Sequence, residues 1–263
     1  MARKKPGDKG PSTARKLESV SQTKGKPLIG TVSQEPSRRS DENISKVVDK
    51  LIYRLWDTIN DLESIQPLNT RFFRVTIFGS ARITRGDALF DEVKSLACRI
   101  SKLGCDIVTG GGPGLMEAAN EGAKECNPSH KTRSFGLTIN LPFENVPNPF
   151  VDRVTAHQTF FSRLHHFVRM SHAFVVFPGG IGTSLETFMI WQLLQVKHIS
   201  TRPLVFYGEM WRGLIDWMRK DMLSRRLINA ADFDLVTCAR DLDEAVEVVE
   251  QAKKRFDERK AVR

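Results

Sequence analysis

The chain has no long hydrophobic run. Its strongly apolar stretches are as short as Ala173–Pro178, against the roughly 20 residues that a membrane-spanning helix needs. No bilayer crossing is expected. Cysteine is scarce: Cys98, Cys105, Cys126 and Cys238 are the whole complement, and no two form a C-x-x-C pair. That pattern argues against a disulfide framework or a zinc site and fits buried thiols in a reducing compartment such as the cytoplasm. Two common nucleotide signatures are missing too. A dinucleotide fingerprint needs G-x-G-x-x-G, and counting from Gly110 or Gly112 puts Leu115 or Glu117 at the last position. A P-loop ends in G-K-[ST], and no glycine turn here carries that lysine.

The folded body also lacks a strong charge of either sign. The net charge is +9 over 263 residues, but residues 1–40 hold ten Lys/Arg and only three Asp/Glu. The remaining 30 basic and 28 acidic residues leave +2 for everything after the tail. A nucleic-acid-binding domain concentrates basic residues on a folded face with interleaved aromatics, and the tail has no aromatic residue. A nucleic-acid partner is therefore not expected. Residues 1–40 are rich in Lys, Arg, Ser, Pro, Gly and Thr. They bury too little surface to offset ordering entropy and are expected to be disordered. They show no apolar core of a secretory signal.

What is present begins near Asp41. Ile44, Val47, Val48, Leu51, Ile52, Leu55, Ile59 and Leu62 recur at helical spacing, so residues 41–66 are expected to form an amphipathic helix. From residue 67 to 263, strands and helices alternate. Strands are expected at Val75–Phe78, Asp106–Thr109, Ser134–Ile139, Ala173–Phe177, Pro203–Tyr207 and near Leu235–Thr237. Helices are expected over 87–103, 114–126, 160–170, 182–196, 210–223 and 241–254. Such alternation implies one α/β domain, a doubly wound, Rossmann-like parallel sheet with helices on both faces. Right-handed crossovers then put every strand-to-helix turn on one sheet edge, where ligands bind.

Three of those turns are built for an anion. They are Gly79-Ser80-Ala81-Arg82, Gly110-Gly111-Gly112-Pro113-Gly114 and Pro178-Gly179-Gly180-Ile181-Gly182-Thr183. Glycine lets an oxyanion approach backbone N–H groups, and a helix N-terminus adds free donors and a positive dipole end. Arg82 offers a charge-assisted contact. Thr183-Ser184-Leu185-Glu186 has the spacing of a capping box, in which the glutamate serves only the helix end. On a phosphate loop the same carboxylate faces the ligand. Adjacent His165 and His166 point to different sides of a helix and have no i+4 histidine, so no metal site is expected. Phe160, Phe161 and Phe167 read as core.

Taken together, these motifs resemble the Lonely Guy family, long labelled lysine decarboxylases. Pro178–Glu186 matches the hallmark P-G-G-x-G-T-x-x-E. Gly110-Gly111-Gly112-Pro113-Gly114-Leu115-Met116-Glu117-Ala118-Ala119-Asn120 is similar to the second signature, and Phe78–Arg82 also fits. The resemblance covers about residues 70–240. It implies hydrolysis of the N-glycosidic bond of a nucleoside 5′-monophosphate, AMP or a cytokinin riboside 5′-monophosphate, to free base and ribose 5-phosphate. It implies Arg163 and Glu186 as the catalytic pair, with no cofactor and no metal. It also implies substrate contacts from Gly79, Ser80, Arg82, Gly111, Gly112, Gly114, Met116, Glu144, Gly179, Gly180, Gly182 and Thr183, and assembly as a homodimer or larger homo-oligomer. The family commonly reads Arg-Lys where this chain reads Arg163-Leu164. A decarboxylase would need a Schiff-base lysine for pyridoxal phosphate, and the glycine turns hold none. On the residues alone, a carrier of a nucleotide or phosphorylated cofactor also remains open, because a carrier needs the loops but not the carboxylate.

Overall fold

The computed structural model describes residues 46–55, 72–127, 131–140, 146–199 and 202–261. The expectations for residues 1–40, and for most of 41–66, lie outside that set. Residues 46–55 are helical (α1), in a unit separate from the one spanning Leu62–Arg263. Val47, Leu51 and Leu55 on α1 are exposed. No helix among the described residues is long and apolar enough to cross a membrane.

The larger unit runs β1 (Arg74–Phe78), α2 (Ala88–Lys102), β2 (Asp106–Thr109), α3 (Leu115–Glu125), β3 (Ser134–Ile139), β4 (Arg153–His157), α4 (Phe160–Met170), β5 (Ala173–Val176), α5 (Ile181–Gln195), β6 (Leu204–Tyr207), α6 (Glu209–Trp217), β7 (Thr237–Ala239) and α7 (Leu242–Ala261). All seven strands join one parallel sheet in the order β4-β3-β2-β1-β5-β6-β7. This is the doubly wound α/β fold that the alternation implied. One apolar cluster packs α2, α3 and α7 on one face, through Val93, Leu96, Leu115, Val249 and the β1 residues Val75 and Ile77. The second packs α4, α5 and α6 on the other, through Phe167, Ile190, Trp191, Trp211 and the β5 residues Phe174 and Val176. The chain winds outward from β1 to β4, then returns to place β5 on the other side of β1. That reversal beside β1 is the topological switch point at which open α/β sheets bind ligands. The turns after β1, β2 and β5 meet there.

Three expectations change. Cys98 and Cys126 form a disulfide, with Cα atoms 5.1 Å apart, while Cys105 and Cys238 are free thiols. The pair is 28 residues apart in sequence, on α2 and at the C-cap of α3. Side-by-side packing of the two helices brings them together, and no short cysteine motif signals it. Gly122 permits that packing, because a Cβ there would strike the Lys94 carbonyl. Second, β4 was not expected. Third, Phe160 and Phe161 are 48% and 73% exposed, and only Phe167 is core. The two exposed rings stand on the first turn of α4, at the end nearest the cleft.

Candidate active site

The loops after β1, β2 and β5 line an open cleft of about 970 Å³ on the C-terminal edge of the sheet. This lies at the upper end of the usual range for small-molecule sites. Ser80 ties the three loops together. Its N–H donates to the Pro178 carbonyl at 3.1 Å, and its carbonyl accepts from Leu115 N–H, the first residue of α3, at 2.9 Å. The free ends of α3 and α5 therefore open into one space.

The Gly110–Gly114 turn is held from below. Thr109 Oγ accepts from Gly111 N–H at 2.9 Å. Gly111 has φ +73, in the region that favours glycine, and a Cβ there would lie 3.1 Å from Gly136 Cα on β3. Gly111, Gly112 and Met116 line the cleft, as do Gly79, Ser80, Arg82, Gly179, Gly180, Gly182 and Thr183. Arg82 is exposed at the rim. Gly114 lies back from the cleft as the N-cap of α3. Glu144 lies outside the described residues. Glu117 lines the cleft but is neutralised by Arg85 at 2.7 Å.

The α5 start overturns the capping-box reading. Gly180 is the N-cap, without a side-chain cap hydrogen bond, and the helix begins at Ile181. Thr183 is thus buried inside the first turn rather than standing before it. Glu186 follows one turn into the helix, and its carboxylate meets Arg163 from α4 at 3.3 Å. Both side chains are largely buried, 14% and 13% exposed. Burial pushes the Glu186 carboxyl up to about 7, and the Arg163 charge partly opposes that rise. Arg163 is fixed on two further sides. Its Nε donates to the Leu137 carbonyl at 2.6 Å, and its guanidinium lies 5.3 Å from the Phe167 ring centroid. Leu164, where the family commonly has lysine, is buried in the core.

The structure thus brings Arg163, Glu186 and the glycine loops into one cleft. A carboxyl that changes charge near neutrality, paired with a cation beside two helix N-termini, is arranged to hold an anion and to offset a developing positive charge. Three contributors are not expected at the site from sequence: Asn148 is not singled out at all, Phe160 reads as core, and Asn120 stands only as the end of the second signature. Asn148 and Phe160 line the cleft, and Asn120 lies buried beneath the β2 loop. Asn148 sits between Pro147 and Pro149, a context without periodicity to mark it. His166 does have a histidine partner, but from β4: His157 Nε2 lies 3.0 Å from its Nδ1. Among the described residues no group of three or more His, Cys, Asp or Glu is placed to hold a metal.

Comparison with known proteins adds the following. A family model described as "Possible lysine decarboxylase" matches residues 116–249, about half of the chain. The pyrimidine/purine nucleotide 5′-monophosphate nucleosidase of Escherichia coli K12 is 32% identical over 109 residues, and its counterpart in strain O157:H7 aligns equally well. The alignment spans 39% of this chain but only 24% of those relatives. Among solved structures, the molybdenum cofactor binding protein from Rippkaea orientalis superposes with a TM-score of 0.50 at 21% identity, over 70% of this chain and 98% of that one. The molybdenum cofactor carrier protein from Chlamydomonas reinhardtii does so with a TM-score of 0.50 at 20% identity, over 70% and 99%. At such identities the likeness is one of fold.

Proposed function

Since the chain belongs to the family described as possible lysine decarboxylases, the Lonely Guy proteins, we propose that it hydrolyses the N-glycosidic bond of a nucleoside 5′-monophosphate such as AMP. The products are the free base and ribose 5-phosphate. The observation that carries this reading is the buried Arg163–Glu186 pair, 3.3 Å apart, in the cleft that also receives the helix starts of α3 and α5. The nucleosidase identity of the curated relatives supports it.

Cleavage of an N-glycoside builds positive charge on the ribose ring as the base leaves with the bonding electrons. In its ionised form, Glu186 offsets that charge. Water then adds its oxygen at the anomeric carbon, and the proton it loses passes to the departing base to give the neutral free base. Arg163 favours the ionised form of Glu186 against the effect of burial and steadies the ribose phosphate side. The 5′-phosphate sits against the N–H groups of the Gly110–Gly112 and Gly179–Gly182 turns, with Thr183 at the second. Binding energy from this remote group positions the reacting bond. Homo-oligomeric assembly accompanies the activity, as family membership implies.

The decarboxylase name does not fit the cleft. Among the described lining residues there is no lysine to form a Schiff base with pyridoxal phosphate. A carrier on the same fold would need the loops but not the buried ion pair.

Incubation with AMP and a panel of other 5′-monophosphates should release free base. Glu186→Gln should lower kcat by roughly 10²–10³, the usual cost of losing one charge-stabilising group, while phosphate affinity is kept. Release of no base from any member, or normal turnover by Glu186→Gln, would overturn the reading.

A further inference from the structure

Asn148 makes two hydrogen bonds to the Gly110–Gly114 turn, one from its backbone and one from its side chain. Its backbone N–H donates to the Gly111 carbonyl at 2.8 Å, and its Nδ2 donates to the Gly112 carbonyl at 2.9 Å. The same Nδ2 donates to Asn120 Oδ1 at 2.9 Å. Asn120 is fully buried and accepts a second bond there, from Thr109 Oγ at 2.7 Å, while its own Nδ2 donates to Ser134 Oγ at 2.6 Å. Thr109 closes the circuit by accepting from Gly111 N–H at 2.9 Å. Two consecutive carbonyls and one N–H of the turn are thus bound by a single buried network.

The planarity of the peptide bond gives this a consequence. In a trans peptide the C=O and the following N–H point in opposite directions. The Asn148 backbone N–H, by holding the Gly111 carbonyl, therefore points the Gly112 N–H the opposite way, toward the other edge of the same peptide plane. A glycine turn without such bonds could flip that plane and present a carbonyl oxygen to an anion instead. We propose that Asn148, whose backbone N–H holds the Gly111 carbonyl and whose side chain is seated for that contact by the Gly112 carbonyl and the Asn120–Thr109 pair, is a positioning residue that locks the Gly111–Gly112 peptide with its N–H toward the cleft and so creates a phosphate subsite. The inference rests on the phosphate reading of the cleft given above. A neutral amide suits the task, because a charged side chain would itself attract or repel the phosphate.

The test measures affinity for inorganic phosphate and for AMP by calorimetry, with melting temperature followed in parallel. Asn148→Ala keeps the backbone N–H but removes the side-chain bonds to Gly112 and Asn120 that seat it, and should weaken both affinities about tenfold, the scale of one to two lost hydrogen bonds in a buried loop. Thr109→Val lies beneath the turn and changes no charge. It should weaken both severalfold, and Thr109→Ser, which keeps the hydroxyl, should restore them to within about twofold. In turnover, KM should rise in step with the binding constant while kcat falls much less. Phosphate affinity unchanged in Asn148→Ala, with only the melting temperature lowered, would reduce the network to scaffolding and overturn the proposal. If Asn148→Ala fails to fold, equal affinities of Thr109→Val and wild type overturn it. Wild-type protein that binds phosphate but releases no base refutes the nucleosidase reading alone, and the affinity ratios still decide this one. Wild-type protein that releases base without measurable phosphate binding overturns this inference alone.

Discussion

Glu186 illustrates how one residue can satisfy a local rule and belong to a different structure. Its spacing from Thr183 is that of a capping box, and periodicity alone assigns it to the helix end. The helix instead starts at Ile181, because the extended Gly180 supplies the N-cap without a side chain. Released from capping, the carboxylate reaches across to α4. No local pattern places Arg163 opposite it, since that meeting is made by two helices flanking β5. The family resemblance marked both residues, Glu186 at the end of the long motif and Arg163 on the preceding helix, and it did so without the distance. The electrostatics yield a prediction. Burial raises the Glu186 carboxyl to about 7, so its ionised fraction grows as pH rises through neutrality. If the ionised form is the active one, kcat/KM should climb with pH through about 7 and level off above it. The positive charge of Arg163 holds the carboxyl lower than burial alone would. Arg163→Gln should therefore shift the rising limb of the residual activity toward higher pH. A limb that stays in place, or an activity that falls across this range, would show that Glu186 does not act as a carboxylate.

At the scale of elements, legibility followed burial. The central strands were readable because both faces are covered: β5 is an unbroken apolar run, and its residues are fully buried. β4 is one of the two edge strands, with Arg153, Val154, Thr155 and Ala156 all exposed, and it pairs only with β3. It carries no apolar signal, so pairing alone defines it. The expected helix over 210–223 holds as α-helix to Trp217 and continues as a π-helical turn over Met218–Leu223, a widening that apolar spacing does not encode. The disulfide was the largest omission, and it also carries a test. Cys98–Cys126 closes a loop of 28 residues that contains β2, the Gly110–Gly114 turn and α3. Constraining a loop of that size in the unfolded chain contributes about 3–4 kcal/mol. Reduction with dithiothreitol, or Cys98→Ser with Cys126→Ser, should lower the melting temperature by roughly 5–15 °C. The glycine turn has its own anchors in Thr109 and Asn148, so phosphate affinity at low temperature should change little. A melting temperature insensitive to reductant would show that the two sulfurs are not bonded in solution.

For the whole molecule, charge and chemistry are separated along the chain. Every described residue that lines the cleft falls between Gly79 and Glu186, and the sheet spans Arg74–Ala239. The basic excess lies elsewhere, in residues 1–40, which carry +7 of the net +9. A phosphate held by backbone N–H groups, helix starts and Arg163 needs no long-range basic field to bind. Exposed charges farther than a Debye length of about 8 Å are largely screened at physiological salt. Deleting residues 1–40 should accordingly leave kcat/KM for AMP within about twofold, because every described cleft residue lies at Gly79 or later in the chain and exposed basic charge changes encounter more than chemistry. The same deletion should abolish the strong retention on a cation-exchange or heparin column that +7 in 40 residues confers. The two readouts separate the roles: retention tracks the tail, turnover tracks the cleft. A large loss of turnover with an unchanged melting temperature would mean that the tail supplies part of the substrate site and that charge and chemistry are not separate.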